Sequence, residues 1–141
     1  MTGNDKLHGV GILAVDDDED TLEMLRFILQ QQGATVLTAE SVTKAVDTLR
    51  QFAPDVILTD IGMPDYNGYA LIKLVRAKDE QEGRNTPAIA LTAYTSPADK
   101  QTALRSGFQK YLSKPFDPAE LIEAIGGLVR DNQATPDNGV R

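Results

Sequence analysis

Asp16 and Asp17 end the apolar run GVGILAV (9–15), and Asp60 ends a second run, DVILTD (55–60). Thr92 lies near the end of PAIALTA (87–93), and Lys114 follows FQKYLS (108–113) within SKPF. Each of these polar residues stands where a strand-like run stops. Three carboxylates gathered in one pocket repel and raise one another's pKa. A hard divalent cation relieves that repulsion, because Mg²⁺ takes oxygen ligands, typically one or two carboxylates and several waters. Lys114 would add a second positive charge. A cation, an ammonium and a threonine hydroxyl beside an aspartate are the equipment for handling phosphate: the charges neutralise phosphoryl oxygens while the aspartate attacks phosphorus.

Each residue has an ordinary alternative. The run Asp16 to Asp20 could be a solvated acidic loop, Asp60 a turn aspartate, Thr92 a β-former and Lys114 a surface lysine in a turn. What weighs against these readings is position, since all four sites fall at one edge of one predicted sheet. Asp18, Glu19 and Asp20 keep the ordinary reading, as first-turn acids favoured by a helix dipole.

The elements that must position the site alternate. DTLEMLRFILQQQG (20–33) has Leu22, Leu25, Ile28 and Leu29 at helical spacing and ends in Gly33. ATVLTA (34–39) is strand-like, and SVTKAVDTLRQF (41–52) is helical with Ser41 as N-cap. After the strand at 55–60, IGMPDYNG (61–68) is a loop, YALIKLVRAK (69–78) a helix and DEQEGRNT (79–86) a polar loop. SPADKQTALRSG (96–107) reads as a helix with cap Ser96, Pro97 at its first position and Gly107 as its stop. DPAELIEAIGGLV (117–129) closes the chain, capped by Asp117 and weakened at Gly126–Gly127. Uninterrupted apolar strands are buried on both faces. Five strands alternating with five helices predict an α/β, doubly wound parallel sheet with helices on both sides. In such sheets the working site lies beyond the carboxyl ends of the strands. The expected organisation is a flexible leader over 1–8, one domain over 9–130 and a flexible tail over 131–141.

Composition narrows the chemistry. At 41% hydrophobic and 25% charged, the 141 residues read as one soluble globular domain. The absence of cysteine excludes disulfides and thiolate chemistry, and a single histidine, His8, excludes a histidine-cluster zinc site. A net charge of −7 disfavours direct nucleic-acid binding. No apolar run reaches membrane-spanning length and no signal peptide is evident, so a cytoplasmic protein without membrane contact is expected.

The segments ILAVDDD, DVILTDIGMPDYNG, AIALTA and YLSKPF closely resemble the receiver domain of two-component response regulators, in that family's order and separations, over residues 10 to 129. The resemblance implies a flavodoxin-like (βα)5 sandwich with strand order 2-1-3-4-5. It implies Asp60 as phosphoacceptor, drawing on phosphohistidine of a histidine kinase or histidine phosphotransfer protein. It implies Mg²⁺, with Mn²⁺ as a substitute, held by Asp16, Asp17, Asp60 and the backbone carbonyl of Gly62. Thr92 and Lys114 would bind the phosphoryl group, Tyr111 would be the switch aromatic, and Lys114–Pro115 would be cis. A monomer or weak phosphorylation-dependent dimer would follow. Such a protein catalyses its own phosphorylation and dephosphorylation and is not an enzyme in the turnover sense.

Three rivals remain. A Mg²⁺-dependent aspartyl phosphatase would carry D-x-D, whereas here Asp60-Ile61-Gly62 lacks the second acid. A flavin or nucleotide binder needs a Gly/Ser/Thr-rich loop after the first strand, and DDDED is its electrostatic opposite. The third is a receiver used unphosphorylated as a docking module. Departures from the family pattern are Gly62, where a larger side chain is common, and Phe108, where alanine is usual. Tyr66, Tyr69 and Tyr94 read mainly as packing or surface; Tyr94, two residues after Thr92, also stands where it could flank the phosphoryl group, limit water access and slow hydrolysis. The tail is too short for a DNA-binding domain, so the chain reads as a stand-alone receiver or one cut from a longer protein. Its kinase and output target are unnamed by the sequence.

Overall fold

The structure is a computed structural model that describes residues 5–63, 67–93 and 96–139, with side chains as far as Asn132. Its elements alternate: β1 (Gly11–Val15), α1 (Glu19–Gln30), β2 (Thr35–Ala39), α2 (Val42–Leu49), β3 (Val56–Asp60), α3 (Gly68–Glu82), β4 (Ala88–Thr92), α4 (Pro97–Ser106), β5 (Lys110–Ser113) and α5 (Pro118–Gly139). All pairings are parallel and the sheet order is β2-β1-β3-β4-β5.

The strands divide as their sequences demand. β3 and β4 are buried at every residue and β1 at all but Gly11, because both faces are covered by helices. The outer strands are different: β2 is exposed at Thr35 and Leu37, and β5 at Lys110 and Ser113. Successive side chains of the central strands serve two cores. Ile12, Ala14, Leu58 and Leu91 pack with Leu25 and Leu29 of α1 and Leu121 and Ile125 of α5. Leu13, Val15, Ile57 and Ala90 pack with Ala45 of α2, Leu71 and Ile72 of α3 and Ala103 of α4.

Helix starts follow local chemistry. Ser41 Oγ accepts from the Lys44 amide at 3.2 Å, and Ser96 Oγ from the Asp99 amide at 3.1 Å. Asn67 Oδ1 accepts from the amides of Tyr69 and Ala70, and Asp117 Oδ1 from that of Ala119. Asp18 is the cap of α1 and not a member of its first turn; its Oδ1 accepts from the Asp20 amide at 3.1 Å.

Several boundaries differ from expectation. α1 ends at Gln30, and the chain turns through Gly33 at φ +92°. α3 continues through the polar stretch expected as a loop and stops at Glu82, before Gly83 in the left-handed conformation. The reason is Asp79, which is buried and satisfied by Arg76 and Thr86, so polarity did not mean exposure there. α5 runs to Gly139 instead of 129, because the glycine pair weakens a helix without breaking it. Leu7, placed by composition in the leader, is 1% exposed and belongs to the α1/α5 core. No helix among the described residues is long and apolar enough to cross a membrane.

Candidate functional site

The strand ends converge. β1 and β3 are neighbours, so Asp16, one residue past β1, lies beside Asp60, the last residue of β3. One carboxylate oxygen from each of Asp16, Asp17 and Asp60 lies within 4.8 Å of the others. Asp16 is fully buried, Asp60 nearly so and Asp17 exposed, so the cluster has a buried floor and an open side.

Local hydrogen bonds hold the carboxylates in place. Asp16 Oδ1 accepts from the Asp18 amide at 2.9 Å, and the Asp16 amide donates to the Ala39 carbonyl at 3.1 Å. Asp60 Oδ1 accepts from the Gly62 amide at 3.0 Å. The Lys114 ammonium donates to Asp16 Oδ2 at 2.7 Å and to Asp60 Oδ2 at 3.4 Å. It therefore leans on Asp16. Burial pushes the Asp16 carboxyl above its ordinary range, and its bonds to Lys114 and the Asp18 amide offset only part of that. Burial works against the Lys114 charge too, but the hydrogen bond and charge of Asp16 and the charge of Asp60 outweigh it and hold the ammonium above its usual value.

Lys114 is placed by the end of the sheet. Its amide donates to the Thr92 carbonyl at 2.9 Å, continuing the β4–β5 ladder past Ser113, and the Lys114–Pro115 bond is cis. Thr92 is buried at the end of β4. Tyr111 lies on β5 with its ring against the α2/α3/α4 core. Its hydroxyl is buried and makes no hydrogen bond among the described residues, and burial, with the charge of Asp99, raises its pKa.

The structure thus brings together Asp16, Asp17, Asp60 and Lys114, with Thr92 at the end of the next strand and Tyr111 on β5 opposite Ala90. At Gly62 it shows the amide engaged with Asp60. Pro64, Tyr66 and Tyr94 lie outside the described residues. Sequence reasoning missed Gly68. A Cβ on that residue would lie 2.6 Å from the Asp60 carbonyl oxygen and 2.9 Å from Ile61 Cα, so only glycine lets α3 begin this close beneath the acid. The clue available was the Asn-Gly pair at 67–68, taken there only as turn chemistry.

The donor set suits a hard cation. Its side-chain ligands are all carboxylate oxygens, and one ammonium against three carboxylates leaves two negative charges uncompensated. Such a cluster, with a lysine at its edge, can hold a divalent cation beside a nucleophilic carboxylate.

Comparison with known proteins agrees with this geometry. The response regulator receiver domain family matches residues 12–126. An uncharacterised 14.6 kDa protein from the sodA1 3′ region of Leptolyngbya boryana is 46% identical over 81% of this chain and 86% of its own. The DNA-binding response regulator MtrA of Mycolicibacterium paratuberculosis is 34% identical over 89% of this chain, which spans 53% of MtrA's length. The receiver domain of the Francisella response regulator 1452 superposes with a TM-score of 0.79 at 30% identity, covering 87% of this chain and 98% of that one.

Proposed function

The chain belongs to the response regulator receiver domain family, and from that membership we propose that Asp60 is a phosphoacceptor served by phosphohistidine. The donor is a histidine kinase or a histidine phosphotransfer protein. The observation that carries the reading is the Lys114 ammonium donating to both Asp16 and Asp60 at the rim where the three carboxylates converge.

Asp60 Oδ attacks phosphorus in line; the P–O bond forms as the P–N bond to the donor imidazole breaks, and that nitrogen keeps the electron pair. Asp16, Asp17, Asp60 and the Gly62 carbonyl would hold Mg²⁺, or Mn²⁺ in its place, which when bound neutralises phosphoryl oxygens. Lys114 moves its donation from Asp16 toward the transferred group, supplying fixed positive charge. The Thr92 hydroxyl donates to the same group, and Tyr111, already packed against the α2/α3/α4 core, repacks with it. The surface of α4, β5 and α5 then changes shape, a population shift biased by one local charge. The protein works in the cytoplasm, as a monomer or weak phosphorylation-dependent dimer, and turns over no small substrate. Gly62 supports this last point, since it leaves no second acid where a phosphatase would need one.

Incubation with acetyl phosphate and Mg²⁺ tests the reading by intact mass. A single phosphoryl adduct, absent without the cation and absent in Asp60→Asn, is the expected result. Steady release of phosphate without an adduct would favour the phosphatase reading.

A further inference from the structure

Arg76 lies on α3, outside the carboxylate cluster, and uses every donor it has. Nε and Nη2 donate to the Gly107 carbonyl at 3.1 and 2.6 Å, and Nη2 also to Gln109 Oε1 at 3.1 Å. Nη1 donates to Asp79 Oδ2 and to the Thr86 carbonyl, both at 2.8 Å. A guanidinium has five N–H groups, and these contacts engage all of them. The partners are themselves tied down. Asp79 accepts from the Thr86 amide and hydroxyl at 2.8 and 2.9 Å, and Gln109 Oε1 accepts from the Ala88 amide at 2.8 Å. One side chain therefore clamps α3, the start of β4 and the turn that leaves α4.

Phe108 reinforces the clamp. It is buried, its amide donates to the Ala103 carbonyl at 3.2 Å, and its ring meets Tyr69 edge-on with centroids 6.4 Å apart. Gly107, at φ +121°, allows the approach, since a Cβ there would lie 3.2 Å from Arg76 Nε.

The rest of α4 is lightly held. Ala103 is its one buried residue, and Leu104 is 42% exposed. An open groove of about 620 Å³, lined by Lys100, Leu104, Tyr111, Leu112 and Ala124 among others, separates it from α5. Its amino end starts at Ser96, shortly after Thr92.

We propose that Arg76, with Phe108, makes the carboxyl end of α4 a fixed pivot, so that the switching motion of α4 is a swing of its amino end about Gly107. This rests on the phosphoacceptor reading above, which places the driving change at Thr92. A rigid element held at one end amplifies a small shift at the other. Arg76 is then a positioning residue for the output surface, and Phe108 is the apolar half of the same anchor.

Amide hydrogen exchange on the full chain, with and without beryllofluoride and Mg²⁺, tests this, with loading checked by native mass. In the loaded wild type, exchange changes over 96–103 while Phe108 and Gln109 stay as they were. In Arg76→Lys, which keeps the charge and loses the fork, unloaded exchange at Phe108 and Gln109 rises about tenfold, the worth of one charge-assisted hydrogen bond. Loading of that variant then spreads the change through 107–109 and reduces it at Tyr111. Should Arg76→Lys not fold, the wild-type profile decides alone. A verified adduct with equal change at both ends of α4 overturns the pivot and leaves the functional reading standing. A chain that takes no beryllofluoride at all overturns both.

Discussion

Asp16 is the residue on which the energetics of the site turn. It is buried, bonded to Lys114, and held above its ordinary pKa mainly by desolvation. A carboxyl whose folded pKa exceeds its unfolded value binds its proton more tightly when folded, so stability falls as pH rises from 3.8 through that folded value. Urea unfolding across acidic pH, without divalent cations, should show the stability of the wild type relative to Asp16→Asn falling as pH rises; a constant difference would contradict it. Lys114 acts at the other extreme: its folded value lies above 10.5, so its contribution is present below that pH and lost above it. Tyr111 supplies a separate test. Its buried hydroxyl has no partner among the described residues, and such a group costs about 1–3 kcal/mol to desolvate. Tyr111→Phe should therefore raise the stability of the unphosphorylated protein by about 1 kcal/mol in thermal or urea unfolding; a loss of that size would show that the hydroxyl is satisfied in solution.

At the level of elements, the closest fit is between α3 and the end of β3. Gly68→Ala places a methyl against the Asp60 carbonyl, where backbone and not a flexible side chain must yield. The expected cost is about 1–3 kcal/mol in urea unfolding, together with slower acetyl phosphate uptake, because the strand end carrying Asp60 must shift. The central strands were legible in the sequence because β1, β3 and β4 are apolar runs closed by a polar residue, and burial on both faces leaves no alternation to misread. The caps Ser41 and Ser96 and the stop Gly107 were legible because each depends on one side chain or one φ angle. The end of α3 was not. Asp79 and Arg76 look like surface charges until the fold brings Thr86, Gly107 and Gln109 to them, across up to 33 residues of sequence. Leu7 was misplaced for a similar reason, since a lone leucine among polar residues shows no period.

For the whole molecule, the site is a local excess of negative charge on a chain of net charge −7. A cation that binds the folded state alone stabilises it by about 2.7 kcal/mol at a hundred times its dissociation constant. Mg²⁺ should thus raise the thermal midpoint of the wild type and leave that of Asp17→Asn unmoved; equal shifts in both would mean diffuse screening and no defined site. The carboxylate cluster was legible in the sequence as polar residues at neighbouring strand ends. The lean of Lys114 toward Asp16 was not, because it depends on the placement of the Lys114 backbone beside Thr92. The central claim is that one carboxylate, Asp60, becomes an acyl phosphate, and borohydride reduction tests it most directly. Borohydride cleaves an acyl phosphate and leaves homoserine in place of the aspartate. After acetyl phosphate and Mg²⁺, peptide mapping should find homoserine at position 60 and at no other aspartate, whereas homoserine at position 16 or 17, or none anywhere, would contradict the account.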